Sequence, residues 1–248
     1  MLNKRQNHIL EILGKDDRSS VNTLAEMLGV SSVTIRQDLN FLESQGLLRR
    51  VHGGAVLKDA DDLSNRLGYN YERKLQIARK LSSYVSEGET ILIESGSVNV
   101  LLARELLKDK KVTILTTNVY LARQFRKVEQ AHIIILGGIY QHDSETLVGK
   151  ITKACIDQLN IHKAFIGIDG YTTETGFTSR DILRAEISTY IISKARDVYI
   201  VSDSSKFGKA ELSNVCYSSD IQHIATTKDL NPEYQKEFRE AGVNLILA

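Results

Sequence analysis

VNTLAEMLGVSSVTIRQDLNFLESQGLLRRVHGGA, running from Val21 to Ala55, decides how the N-terminal part of this chain folds. Val21, Leu24, Ala25 and Leu28 recur at i, i+3, i+4 and i+7, the spacing that lines one side of a helix with apolar groups. Gly29 follows, the residue that most easily leaves right-handed helical space, so the chain can turn there. Ser31 is placed to cap a second helix that buries Ile35, Leu39 and Leu42. Two short helices joined by a glycine turn make a helix-turn-helix, whose second helix is offered to a DNA major groove.

Working outward, Lys4 to Leu13 reads as a preceding helix with Ile9, Ile12 and Leu13 on one side. On the second helix of the motif, Ser32, Thr34, Arg36, Gln37 and Asn40 fall outside the buried stripe. Their chemistry suits groove reading: arginine pairs with guanine, glutamine with adenine, and hydroxyls bond phosphate or base. Downstream, two β-like arms around Gly53-Gly54 form a hairpin, or wing. From Gly46 to Lys58 the chain carries Arg49, Arg50, His52 and Lys58 and no acid, a stripe fit for phosphate contacts. A solvated basic turn is the alternative for so short a run, and position beside the helix-turn-helix favours the wing.

The run TIRQDLNFLESQGLLRRVHGGA resembles the signature of the DeoR family of bacterial transcriptional regulators, densely over residues 3 to 58. The family usually reads TIRRDL, so Gln37 replaces a second arginine. The departure implies a changed base preference or phosphate contact, not a changed fold.

Composition is that of an ordinary globular protein, 42% hydrophobic and 25% charged over 248 residues with a formal net charge of +1. No apolar run approaches the ~20 residues of a membrane span, and MLNKRQNHIL lacks the apolar core of a secretory signal. Cys155 and Cys216 form no spaced metal or redox motif and read as small apolar residues. A cytoplasmic protein with no membrane contact, no cofactor and no metal is the expectation.

Lys58 to Gly68, KDADDLSNRLG, is polar and reads as a linker, giving a DNA-binding domain over 1–57, a linker over 58–70 and a second domain over 71–248. A helix is expected from Tyr69 to about Val85, with Leu75, Ala78, Leu81 and Val85 inside. Beyond it, β-rich runs at 90–93, 112–116, 132–136, 164–168, 198–201, 221–226 and 243–247 alternate with helical stretches at 98–107, 119–127, 150–159 and 182–195. The fold class is therefore α/β, a winged helix-turn-helix followed by a mostly parallel sheet covered by helices.

Ligands of such sheets gather at the carboxyl ends of the strands. The loops there are polar. Ser95-Gly96-Ser97 leads into a helix whose N-terminus suits phosphate, although the two serines serve equally well as caps. Asn118 follows the second strand and Gly138 the third, where a plain turn is as good a reading. Asp169 can accept a sugar hydroxyl and Arg180 can clamp phosphate, or each can be a surface ion pair. Lys206, among serines and a glycine, has the setting of a phosphate-contacting lysine.

The segments IESGSVNVLLARELL, VTILTTNVYLA, IIILGG, AFIGIDG with GFTSRD, and VSDSSKFGK resemble, in order, the DeoR effector-sensing domain over about residues 72 to 248. That domain is similar in fold to ribose-5-phosphate isomerase and takes phosphorylated sugars or related intermediates. The resemblance implicates Ser95, Gly96, Ser97, Asn118, Gly138, Asp169, Arg180 and Lys206. The first loop departs from the family's DSGTT by reading ESGSV, which removes one hydroxyl. The resemblance implies a regulator, more naturally a repressor of carbohydrate genes, that binds a double-stranded DNA operator as a homodimer or homotetramer and has no catalytic residues. The competing reading is a sugar-phosphate isomerase or deaminase with an attached DNA module, using Asp169, Glu174, Asp181 or His142. A third is a constitutive DNA-binding protein whose large domain only oligomerises.

Overall fold

The computed structural model describes residues 2–16, 18–56 and 63–248. Lys58 of the basic stripe, and residues 58–62 of the expected linker, lie outside them. Contacts divide the chain into two units, Met1–Glu72 and Arg73–Ala248.

The first unit contains α1 (Lys4–Asp16), β1 (Arg18–Ser20), α2 (Val21–Leu28), α3 (Ser32–Ser44), β2 (Arg49–Val51), β3 (Gly54–Val56) and α4 (Leu63–Gly68). The start of α5 (Tyr71–Ser82) completes it. Gly29 ends α2 in the left-handed region, φ 64°, and its N–H donates back to the carbonyls of Ala25 and Glu26. Ser31 then caps α3, its hydroxyl accepting from the Thr34 N–H at 3.2 Å. Ile9, Leu13, Leu24, Ile35, Leu39 and Leu42 are fully buried, each burial contributing roughly 1.5–3 kcal/mol. Asp38 is buried with them. Its carboxylate accepts from Arg5 Nε at 2.5 Å and Gln6 Nε2 at 3.0 Å, tying α1 to α3.

The wing is a three-stranded antiparallel sheet, order β1-β3-β2, with β1 too short and polar to announce itself in the sequence. Its turn is His52-Gly53, with Gly53 at φ 75°, rather than Gly53-Gly54. Gly54 belongs to β3, where a Cβ would lie 2.3 Å from the Ser19 carbonyl oxygen. That close approach is what admits the third strand. Part of the stretch read as linker is helical: α4 buries Leu67, and Gly14 of α1 sits so near the Tyr69 ring that a Cβ would come within 2.8 Å. With only Leu63 and Leu67 apolar in its six residues, that stretch shows no visible period.

The second unit is built on a seven-stranded, wholly parallel sheet, with β4 (Thr90–Ile93), β5 (Thr113–Thr116), β6 (His132–Ile135), β9 (Lys163–Gly167), β12 (Asp197–Val201), β14 (His223–Thr226) and β15 (Asn244–Leu247) in the order β15-β14-β12-β9-β4-β5-β6. Each strand coincides with an expected run. Interleaved are α6 (Ser97–Asp109), α7 (Val119–Phe125), α8 (Lys150–Asp157), α9 (Ile182–Lys194) and α10 (Pro232–Glu240). Leu92, Leu115, Ala164, Ile166, Ile200 and Ile224 pack in one cluster with Ile156 of α8, Ile187 and Ile191 of α9 and Phe238 of α10. The alternate residues Ile91, Ile93, Ile114, Phe165 and Val201 are buried outside that cluster, so both faces are covered, as a parallel sheet requires. Two antiparallel additions were not visible in the sequence: a hairpin of β7 (Ile139–Gln141) and β8 (Thr146–Val148), and a sheet of β10 (Gly170–Thr172), β11 (Gly176–Ser179) and β13 (Ser213–Cys216). Three-residue arms carry too few alternations to register as a period. Among the described residues no helix is long and apolar enough to cross a membrane, and no cluster of His, Cys, Asp and Glu is arranged to hold a metal.

Candidate functional site

On α3, Arg36, Gln37 and Asn40 are exposed while Ser32 and Thr34 are half-buried. Thr34 works partly at home, its hydroxyl 2.9 Å from that of the capping Ser31. In the wing Arg49 and His52 are exposed and Arg50 is half-buried. Arg50 is held against α3: its Nη1 donates to Asn40 Oδ1 at 2.5 Å and its backbone N–H to Glu43 Oε1 at 2.8 Å. Asn40 and Arg50 thus lock wing to helix, and Arg36, Gln37, Arg49 and His52 are the groups of this set that reach furthest into solvent.

The second constellation follows from strand order. In a parallel sheet all strands end at one edge, and here β12, β9, β4, β5 and β6 are consecutive neighbours. Their following loops carry Lys206, Asp169, Ser95 to Ser97, Asn118 and Gly138 in that lateral order. Ser95, Gly96, Ser97, Asn118 and Asp169 are buried, and Gly138, Arg180 and Lys206 are half-buried. Asn118 Nδ2 donates to Ser95 Oγ at 3.0 Å, and Asn118 Oδ1 caps α7 by accepting the Leu121 N–H at 2.8 Å. Asp169 accepts from the Arg180 N–H at 3.2 Å and from Arg184 Nη2 at 3.3 Å. The Arg180 guanidinium itself donates to Glu211 at 3.0 Å. Gly138 is explained by packing, since a Cβ would fall 2.1 Å from Thr152 Oγ1 and 2.8 Å from the Val148 carbonyl oxygen.

The serines do not cap α6. Its N-cap is Gly96, with no side chain bonded to the first turn, so those backbone N–H groups and their partial positive charge face the edge. Asn99, one turn in, donates through Nδ2 to the carbonyls of Glu94 and Phe165. Two buried side-chain oxygens at this edge, Asn99 Oδ1 and Thr117 Oγ1, have no hydrogen-bond partner among the described residues.

Sequence reasoning missed three buried ionisable groups here. Glu94, at the end of β4, accepts from the Ser188 hydroxyl of α9 and lies near Arg184 and Asp169. Burial pushes its carboxyl up to about 7, against the lowering effects of the Ser188 hydroxyl and Arg184. Asp203 follows β12, accepts the Ser205 N–H at 3.0 Å, and lies 3.8 Å from the ammonium of Lys74 on α5; both side chains are buried. Despite burial, Lys74 and the Ser205 bonds hold the Asp203 carboxyl below its ordinary value. Glu94 and Asp203 were readable as loop acids, whereas Lys74 sits on a helix ahead of the first strand and only the tertiary fold brings it to the edge. Of the acids the enzyme reading needs, Asp181 is spent as the cap of α9, accepting from the Arg184 N–H at 2.8 Å and from Gln141 at 3.1 Å.

Known proteins match this arrangement in both units. The DeoR-like helix-turn-helix domain matches residues 5–61 and the DeoR C-terminal sensor domain residues 69–228. The chain is similar to the HTH-type transcriptional regulator GolR of Listeria innocua, 28% identical and covering 99% of this chain and 98% of that protein. It is similar to the HTH-type transcriptional regulator IolR of Bacillus subtilis, 31% identical with 92% of each covered. It is likewise similar to the glycerol-3-phosphate regulon repressor of Escherichia coli K12, 30% identical with 90% of each covered. Among solved structures, ribose 5-phosphate isomerase A of Methanocaldococcus jannaschii aligns with a TM-score of 0.41 at 19% identity, over 56% of this chain and 55% of that one. With a DNA-reading unit and a sensor unit matched in the same order along nearly the whole sequence, the chain belongs to the DeoR family of DNA-binding transcriptional regulators.

Proposed function

We propose that this regulator is a repressor of carbohydrate-metabolism genes, controlled by a phosphorylated sugar or related metabolite that binds along the carboxyl edge of β12, β9, β4, β5 and β6. One observation carries the reading. The uncapped N-terminus of α6 and the two partnerless buried oxygens, Asn99 Oδ1 and Thr117 Oγ1, offer anion-binding N–H groups beside acceptors that want a hydroxyl. Ser95, Gly96, Ser97, Asn118, Gly138, Asp169, Arg180 and Lys206 line or shape this edge, and the buried Lys74–Asp203 ion pair braces the loop after β12. The E. coli relative named for a glycerol-3-phosphate regulon supports the ligand class.

Operator contacts fall to Ser32, Thr34, Arg36, Gln37 and Asn40 on α3 and to Arg49, Arg50 and His52 in the wing. The protein works in the cytoplasm as a homodimer or homotetramer, pairing two units on two half-sites. Effector control needs only that the ligand bind the DNA-competent and DNA-incompetent arrangements unequally, by about 1–3 kcal/mol. Titrating an operator selected from randomised duplexes, with glycerol 3-phosphate and a panel of pentose and hexose phosphates, tests this. At least one should change operator affinity about fivefold or more, and Lys206→Ala should blunt the change. If none does, the sensing half fails. On the DNA side, Arg36→Ala should cost about 1–3 kcal/mol and relax preference at one position, while Arg49→Ala should weaken all sequences alike and lower the salt slope by about one. Two variants that bind like the parent would displace α3 and the wing from the interface.

A further inference from the structure

Val33 lies in the first turn of α3 and is 59% exposed. At 100° per residue it stands opposite the buried stripe of Ile35, Asp38, Leu39 and Leu42, and shares the outer face with Gln37 and Asn40 at i+4 and i+7. Among the described residues of the unit, nothing explains an apolar, β-branched group there. It packs into no core, and a branched side chain lowers helix propensity where alanine would raise it. Its neighbours on that face, Arg36, Gln37, Asn40 and Ser44, are polar and exposed, and the other exposed apolar group of α3, Phe41, lies further round and two turns on. An isolated exposed valine is unremarkable on a general surface, but this one stands at the N-terminal end of the helix that enters the groove, the end whose residues meet base edges.

We propose that Val33 is a specificity-determining residue that reads thymine, its isopropyl group packing on the C5-methyl of a thymine in each half-site. The thymine methyl is the apolar feature that base pairs display in the major groove, and an aliphatic side chain is its natural partner. Flanking it, Arg36 and Gln37 supply the polar half of the reading. Gln37 stands one residue past Arg36 and four past Val33, so a thymine met by Val33 neighbours the base pair met by Gln37. This role for Val33 rests on α3 being the reading helix.

The test uses the full chain and a duplex enriched from a randomised pool, with thymines replaced one at a time by deoxyuridine, which removes only the methyl. In the parent protein one replacement per half-site should weaken binding about fourfold, the worth of one buried methyl. Val33→Ala, whose single methyl reaches less far toward the base, should lose most of the difference between the thymine and uracil duplexes, should enrich a pool with weaker preference at that position, and should melt no lower than the parent. Val33→Ile should retain the thymine preference. The proposal is overturned if no deoxyuridine weakens the parent, or if the same replacement weakens Val33→Ala as much. A parent protein that enriches no sequence would instead overturn the placement of α3 as the reading helix, a failure told apart by its appearing before any base is changed.

Discussion

Glu94→Gln is expected to stabilise the second unit at pH 8 by up to about 3 kcal/mol. The carboxyl is fully buried and titrates at about 7 in the fold against 4.5 outside it. Below about pH 4.5 it is neutral whether folded or not, and burial costs nothing. Between about 4.5 and 7 the unfolded chain releases the proton while the folded one keeps it, so stability falls as pH rises. Above about 7 the charged form is forced into the fold and the full cost is present. Glutamine keeps an acceptor for the Ser188 hydroxyl and carries no charge, so the variant should lose this slope. Thermal unfolding at pH 5 and pH 8 checks it: the two proteins should nearly coincide at pH 5. At pH 8 the variant should melt higher by several degrees, at about 2–4 °C per kcal/mol for a unit of this size. Parallel pH profiles for the two proteins would show that Glu94 does not titrate with folding. The cost falls at the edge proposed to take the effector, where perturbed ionisable groups are expected to concentrate.

Gly167→Ala should be severely damaging to the second unit. Its Cβ would stand 2.4 Å from the Ser95 carbonyl oxygen and 3.4 Å from Gly96 Cα, both backbone atoms that cannot swing aside. β9 and β4 would have to part at the carboxyl edge, displacing Ser95 from Asn118 and disturbing the Gly96 entry into α6. A loss of roughly 3 kcal/mol or more is expected, with any effector-induced rise in melting temperature abolished. Gly137→Ala is the matched control, since its Cβ would meet Ile151 and Cys155 at ordinary contact distances of 3.7 and 3.9 Å, and it should cost under about 1 kcal/mol. Equal stability for the two variants would mean that the β9–β4 junction yields more readily than its geometry indicates.

Much of this architecture is written locally. Val21, Leu24, Ile35, Leu39 and Leu42 announce two helices because burial on one side imposes a 3.6-residue period. Gly29 and Ser31 mark the turn because left-handed backbone and an N-cap oxygen each demand a residue type. The inner parallel strands are legible because strands buried on both faces are continuously apolar, while the edge strand β6 is equally apolar yet exposed at Ile134 and Ile135. What escaped was either too short to show a period, as in β1, β7, β8 and α4, or polar where apolar was expected. Asp38 lies inside the stripe of α3, yet its burial depends on Arg5 and Gln6, more than thirty residues earlier. Gly54 and Gly138 resembled turn residues, whereas each makes room for a neighbour distant in sequence.

The candidate site divides the same way. By itself the sequence determined the helix-turn-helix, the alternation that builds the parallel sheet and the polar character of the loops bordering the candidate site, since these depend on residue type and spacing along the chain. It could not set the lateral order β12-β9-β4-β5-β6, which turns five separated loops into one edge. Nor could it bring Lys74 to Asp203, Asn118 to Ser95 or Ser188 to Glu94, or pair Arg50 with Asn40. Those are decided by tertiary structure because strand adjacency and side-chain burial are properties of contacts between distant segments. A buried charge acquires its energy only from the neighbours the fold delivers.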